Sequence, residues 1–505
     1  MNRKSSTANP FLVGLLLLAA GIPCAFAQEP PDSTKHDMSK EATLLSDPPA
    51  KESFIPDPVY PEQYEAQAQL DVYGTKHLNP NPTQIPAIAL GIRMYDHGAF
   101  TPRPTWLFGP KDPVQSGFMA YGDLRVAADS YESGGKRQST VAARLNLDLD
   151  LALTATERIH AFTRPLDKGG QFTRYDVSGA VKDKFTRKFD FDLDTLFFEG
   201  DLGQIAGGLQ NHAARFDLPI AFGRMPFVTQ NGVWIEDAFD GAAVSFTAKN
   251  IPSLDVSNTD LTFFAGWAQL TTDAAPNSSR NGVFGLAGFA DARNGYIEYG
   301  YGYVKADDDN LSYHNLTAAF SRRYWGRVAN SVRVIGNFGQ KGDPGKAKTA
   351  DGVLLLFESS LTPKYLKLAQ ANQSNFVPYL NLFAGFNSPQ SLARGADSGG
   401  VLRNTGITFE SDGMTGYPTL DAKAHKSYGG ALGLEYLFDL AHQIVVEGSV
   451  VQRMSGNTAG SQYGIGVRYQ QPISPDLIIR FDAMKGWLQG QKDVYGVRAE
   501  LRLKF

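Results

Sequence analysis

In this chain of 505 residues, the side chains best suited to act on a solute gather in 216–246, FDLPIAFGRMPFVTQNGVWIEDAFDGAAVSF. Arg224 closes an apolar run there, and Glu236, Asp237 and Asp240 follow Trp234 before the apolar pattern resumes at Gly241. A guanidinium held opposite carboxylates across a narrow aqueous gap sets up a transverse field, which sorts solutes by charge and dipole. These four residues are the expected lining of a constriction. The competing reading is a salt bridge between a loop and its own strand. Bond-making chemistry has no comparable footing. The histidines (His36, His77, His97, His160, His212, His314, His425 and His442) show no HExxH or related ligand spacing, and no GxSxG occurs. His314 and Ser321 share one expected strand, but their odd separation puts them on opposite faces. No enzyme, metal site or cofactor is expected. A balance of 48 basic against 52 acidic residues, net -4, gives no footing for nucleic-acid binding.

The elements that position these groups are strands. After Gly117 the sequence alternates with period two. In 141–153 (VAARLNLDLDLAL) Val141, Leu145, Leu147, Leu149 and Leu151 take one face, and Arg144, Asp148 and Asp150 take the other. In 189–197 Phe189, Phe191, Leu193, Thr195 and Phe197 are expected on the apolar face, so Asp190, Asp192 and Asp194 fall opposite. At the carboxyl end (VYGVRAELRLKF) Tyr495, Val497, Ala499, Leu501, Leu503 and Phe505 share a face, against Arg498, Glu500 and Arg502. The same parity turns Arg333, Glu435, Arg468, Arg480 and Asp482 to the polar side.

Segments of this kind recur at 118–128, 139–153, 158–166, 189–199, 216–224, 241–249, 260–270, 282–290, 294–304, 312–322, 331–340, 352–361, 376–386, 427–438, 443–453, 460–471, 476–488 and 493–505. They number about eighteen, an even count, each of about ten residues, which is the length a tilted strand needs to cross hydrocarbon. Short connections (TATE, DAR, DLAH, PISP) alternate for the most part with long ones (DSYESGGKRQ at 129–138, TTDAAPNSSRN, KGDPGKAKTAD), the longest of them running from Asn387 to Ser427. No apolar run of about 20 residues lies beyond the amino end, so a polytopic helical membrane protein is excluded. Tyr299, Tyr301 and Tyr303 share a face with Ile297, and Tyr324 and Trp325 sit at an expected turn, as an interfacial aromatic belt would place them.

The amino end has Arg3 and Lys4, an apolar stretch from Phe11 to Ala20, and Ala25-Phe26-Ala27, the pattern of a secretory signal peptide over 1–27. Its removal takes away Cys24, the one cysteine, and leaves 46 basic against 52 acidic residues. Fourteen of the 28 prolines fall in 28–116. Proline lacks the amide donor a sheet ladder needs, so this stretch is expected to be a periplasmic linker or a small plug rather than sheet.

The carboxyl end, closing on Phe505 behind alternating apolar positions, resembles the assembly signal of Gram-negative outer-membrane barrels. The Gly223-Arg224 strand end, followed by a loop and an acidic-plus-glycine strand start, resembles the alginate-export and porin-type families. The resemblance implies an all-β fold: an antiparallel transmembrane β-barrel of about eighteen strands over 117–505, in the cell outer membrane. It further implies partners in the lipid bilayer and the barrel-assembly machinery, with a monomer or a trimer both open. The expected function is passive passage of small hydrophilic solutes through a water-filled lumen. The alternative is a non-conducting barrel that anchors periplasmic or surface partners.

Overall fold

The computed structural model describes residues 86–90, 116–154, 156–179, 183–210, 214–276, 278–342, 345, 347–362, 376–395, 398–410, 413–438 and 442–505. The segment 1–27, expected as a signal peptide, and most of 28–116 lie outside the described residues.

The wall is a closed antiparallel barrel of 18 strands. In chain order these are β1 (Gly117–Ser133), β2 (Lys136–Ala152), β3 (Arg158–Thr163), β4 (Leu193–Asp201), β5 (Pro219–Thr229) and β6 (Ile235–Ile251). They continue as β7 (Val256–Ala268), β8 (Gly282–Ala292), β9 (Gly295–Lys305), β10 (Tyr313–Tyr324), β11 (Val328–Phe338) and β12 (Asp351–Leu361). The last six are β13 (Phe376–Ser388), β14 (Ser427–Leu437), β15 (Gln443–Arg453), β16 (Gln462–Pro472), β17 (Leu477–Leu488) and β18 (Val494–Lys504). Each overlaps one segment expected from the alternation.

The seam joins β18 to β1 from Lys504↔Asp123 to Tyr495↔Glu132. Phe505 extends it, because its amide donates to the Gly122 carbonyl (3.1 Å) and its carbonyl accepts from the Gly122 amide (2.7 Å). Below the seam β1 outruns β18. There a short strand, Ile88–Leu90, pairs with Phe118–Ala120 and covers backbone groups that an open edge would leave unpaired.

Parity is plain in β18. Val497, Leu501 and Leu503 are exposed on the outer face, while Arg498 and Glu500 are 6% and 4% exposed inside. Outward apolar side chains recur round the wall, among them Phe284, Leu316, Val332, Leu432, Val446 and Ile465. Burying this surface against lipid rather than water is the arrangement a transmembrane barrel requires. Trp325, 85% exposed at the turn after β10, sits at the rim where chain entry occurs. Connections on that rim are mostly short. The exceptions are 362–375, which is largely outside the described residues, and 202–218, which holds the helix α1 (Leu202–Gln210).

Two expectations are corrected. The segment 129–138 is not a long loop, since β1 and β2 run on as a ladder to a two-residue turn at Gly134-Gly135. Both glycines have positive φ (60° and 74°), the twist a tight hairpin needs and one that side chains with a Cβ resist. The second correction concerns 189–197. β4 begins only at Leu193, and a bulge leaves Phe162 opposite Thr195 but Thr163 opposite Leu193. One extra residue flips every later side chain to the other face. Thr195 and Phe197 therefore turn inward, with Phe197 stacked on His160 at 5.0 Å. Between β3 and β4 the chain also forms a further strand, Gln171–Ser178, paired with β2 through Ser139–Ala143, where the alternation gave no signal.

Candidate functional site

The interior is narrowed by two connections from the far rim. The first is the turn between β5 and β6. Gln230 and Asn231 adopt positive φ (52° and 56°), which swings the chain inward. Trp234 then lies fully buried, its Nε1 donating to Asn315 Oδ1 on β10 at 2.7 Å. Its ring occupies the space a side chain at Gly300 on β9 would need, and Thr317 Oγ1 donates to Gln230 Oε1 at 2.9 Å.

The second is the long connection 389–426, expected as an outer loop, which instead folds into the barrel. Its first stretch is fixed by backbone groups. The Gln390 amide donates to Asn337 Oδ1 (2.7 Å), the Leu392 amide to the Trp234 carbonyl (2.8 Å), and Ala393-Arg394 runs parallel to Ile235-Glu236. Met414 reaches β1 and β2 on the other side, buried with Ala127, Ala142 and Phe172. Buried apolar side chains from both connections and from the wall form one cluster, including Trp234, Phe239, Leu392, Leu402 and Phe409. A lumen that is wet throughout is thereby corrected. The inward-folded segments fill part of it with an apolar core, because long loops can bury their own apolar residues against inward-facing wall positions.

Charges on these segments find wall partners. Glu236 lies 3.1 Å from Arg394 and 3.6 Å from Arg403, while Arg394 also donates to the carbonyls of Gly232, Ser398 and Gly399. Glu410 reaches Arg468 (2.5 Å) and Arg480 (3.3 Å). Burial by itself would raise the Glu410 carboxyl, but Arg468 and then Arg480 outweigh it and hold it down to about 2. Burial lowers the His425 imidazole. It raises the Tyr417 hydroxyl, which donates to the Gly496 carbonyl at 3.3 Å.

The four residues expected to line a constriction hold three separate sets of partners. Arg224 and Asp240 face each other across β5 and β6 at 2.9 Å, on positions that alternate with buried Met225 and Phe239 and share the outer parity of exposed Phe222. Asp237 Oδ2 accepts from the Thr271 amide at 2.6 Å. Of the four, Glu236 meets the inward-folded segment.

The wall charges named from parity are largely paired. Arg144 lies 3.4 Å from Asp167, and Arg164 bridges Asp194 at 2.8 Å. Asp190 meets Lys168 (3.2 Å), while Asp192 is exposed ahead of β4. Asp150 is flanked by Arg158 (3.6 Å) and His160 (3.8 Å). Arg333, 2% exposed, lies between Glu358 (3.3 Å) and Glu298 (3.6 Å). Asp482 gathers Arg468 and Arg480 at 2.8 Å each and Arg498 at 3.6 Å, and Glu500 joins Arg498 to Arg502. Asp148 and Glu435 make no ion pair among the described residues, and both are partly open to solvent. Sequence reasoning missed Arg394, Arg403 and Glu410, since no periodic signal marks an inward-folded loop. It also missed Glu447, whose parity on β15 alone could have placed it inside.

No protein-family model and no curated protein matches the sequence. Among solved structures, the chain is similar to Pseudomonas aeruginosa OccK5 (OpdH), with TM-score 0.48 and 13% identity over 77% of this chain and 98% of that one. It is also similar to P. aeruginosa OpdK, solved with vanillate (0.48, 12%, 76% and 98%), and to P. aeruginosa OccK3 (OpdO) (0.46, 10%, 76% and 95%).

Proposed function

We propose that this barrel is an outer-membrane channel for small hydrophilic solutes, narrowed by the turn at 230–234 and the inward fold of 389–426. The observation that carries it is the pairing of an apolar outer face with an inner wall bearing ionisable groups, among them Asp148 and Glu435 without an ion-pair partner among the described residues. A carboxylate left unpaired in a dry interior costs several kcal/mol, about the scale of a domain's whole stability, so these groups call for water beside them. The constriction is assigned to Glu236 with Arg394 and Arg403. Glu236 shares the parity of Asp240 on β6, but it lies at the strand's start, next to the inward turn at 230–234, where Ala393-Arg394 of the folded-in segment runs beside it and opposite charges stand on facing segments. Arg224 and Asp240 then stiffen the wall, and Asp237 anchors the neighbouring loop at Thr271. Phe505, bonded on both sides to Gly122, fits a role in recognition by the assembly machinery that closes the seam. An exporter of an acidic polysaccharide would need a wide continuous bore, and the apolar cluster inside the barrel speaks for smaller solutes.

That cluster also favours one second reading, a barrel that does not conduct and serves as a scaffold. Planar-bilayer reconstitution separates the two. A channel gives steady ohmic steps in the full chain. Electrical silence that persists after 389–426 is shortened to a tight turn, with the barrel still folded, refutes transport.

A further inference from the structure

Resting on the channel reading, we infer that Glu447 is the positioning residue that seats the constricting loop: its carboxylate on β15 grips the loop tip at 405–409 and sets the width of the lumen.

Glu447 is 1% exposed and points inward. Both of its oxygens are engaged, and by donors of two origins. From the loop come the Ile407 amide (2.9 Å to Oε2), the Thr408 amide (3.0 Å to Oε1) and the Thr408 hydroxyl (2.8 Å to Oε1). From the wall come Ser449 Oγ (2.8 Å) and the Tyr379 hydroxyl. No cation lies within ion-pair distance among the described residues, so backbone and hydroxyl dipoles alone answer the charge. Such an arrangement is tied to geometry: two successive amides must both point at one carboxylate, and they do so only when the tip is seated.

The neighbouring residues are cut to fit this contact. At Gly406 a side chain's Cβ would lie 2.7 Å and 2.8 Å from the Glu447 oxygens and 2.9 Å from the Ala431 Cβ. Only glycine lets the carboxylate approach the backbone there. At Gly466 on β16 the same atom would meet Thr408 Cγ2 at 3.0 Å. Asn381 Nδ2 donates to the Thr405 carbonyl at 2.7 Å, and buried Phe409 stands edge-on to Phe383 with ring centroids 6.3 Å apart. The tip is thus a knuckle in a socket formed by β13 to β16, with the charged group at its centre. Arg403 and Glu410, which flank the knuckle, reach Glu236 and the Arg468–Arg480 pair only if it stays seated.

The test is Glu447→Gln, which keeps size but puts a donor amide where donors already converge. Two measurements are made on the full chain in detergent or bilayer. One is tryptic cleavage at Arg403 and Lys423 in the loop. The other is single-channel conductance, with retention of heat-modifiable gel mobility as the check that the barrel is folded. The expected result is loop cleavage at least tenfold faster, together with larger and noisier current steps. Glu447→Asp, which keeps an acceptor pair, should recover part of both. Unchanged cleavage in Glu447→Gln overturns the inference whether or not the barrel conducts. A barrel that stays silent both in the wild type and in Glu447→Gln, although the substitution releases the loop, refutes the channel reading and leaves the latch standing.

Discussion

Replacing Glu410 with Gln should loosen the inward-folded loop and erase an acid response expected of the unsubstituted barrel. In place, the Glu410 carboxyl is held at about 2 by Arg468 and Arg480 against the penalty of burial, where an ordinary glutamate sits at 4.5. That difference corresponds to about 3 kcal/mol favouring the charged, seated form. The folded value is depressed, so this contribution is fully present above 4.5 and is lost as pH falls towards 2. By pH 3 about 2 kcal/mol is gone, roughly a thirtyfold shift towards the unseated loop. Single-channel recordings between pH 6 and pH 3 should show larger, noisier steps in the wild type as acid is added. Glu410→Gln should show them already at pH 6 and change little further. A flat wild-type profile over this range, or an equal acid step in Glu410→Gln, would refute the idea that this pair holds the loop.

Other substitutions probe the remaining anchors. Trp234→Ala removes a fully buried ring that carries the bond to Asn315; it should cost the turn about 3–5 kcal/mol and raise conductance, while gel mobility shows an intact barrel. Glu236→Gln takes the negative partner from Arg394 and Arg403, so reversal potentials in a salt gradient should move towards anion preference. Arg224→Ala and Asp240→Asn, on the outer parity of the wall, should leave the reversal potential where it was; a shift there equal to that of Glu236→Gln would return them to the constriction.

Most of the wall was readable residue by residue. Because strand side chains alternate strictly, Leu501 and Leu503 could be sent outward and Arg498 and Glu500 inward from spacing alone. Reading failed at the bulge before Thr195, since a bulge is a local backbone event with no apolar periodicity of its own. It failed again at Gly134-Gly135, where a polar stretch that looks like a loop continues the ladder. Gly134 and Gly135 contain the clue, as a two-residue glycine turn is a hairpin signal, but the charged flanks masked it.

The linear order of residues thus determined that a closed, outwardly apolar wall forms, along with its strand count, because backbone pairing and side-chain parity are local rules. Tertiary structure decided what stands inside the wall. Whether 389–426 reaches outward or folds in depends on contacts between residues far apart in the chain, such as Glu447 with Thr408, Glu236 with Arg394, and Leu392 with Trp234. Each of these is worth little until the closed barrel brings its two halves within hydrogen-bond reach, and no period or motif along the chain records that meeting.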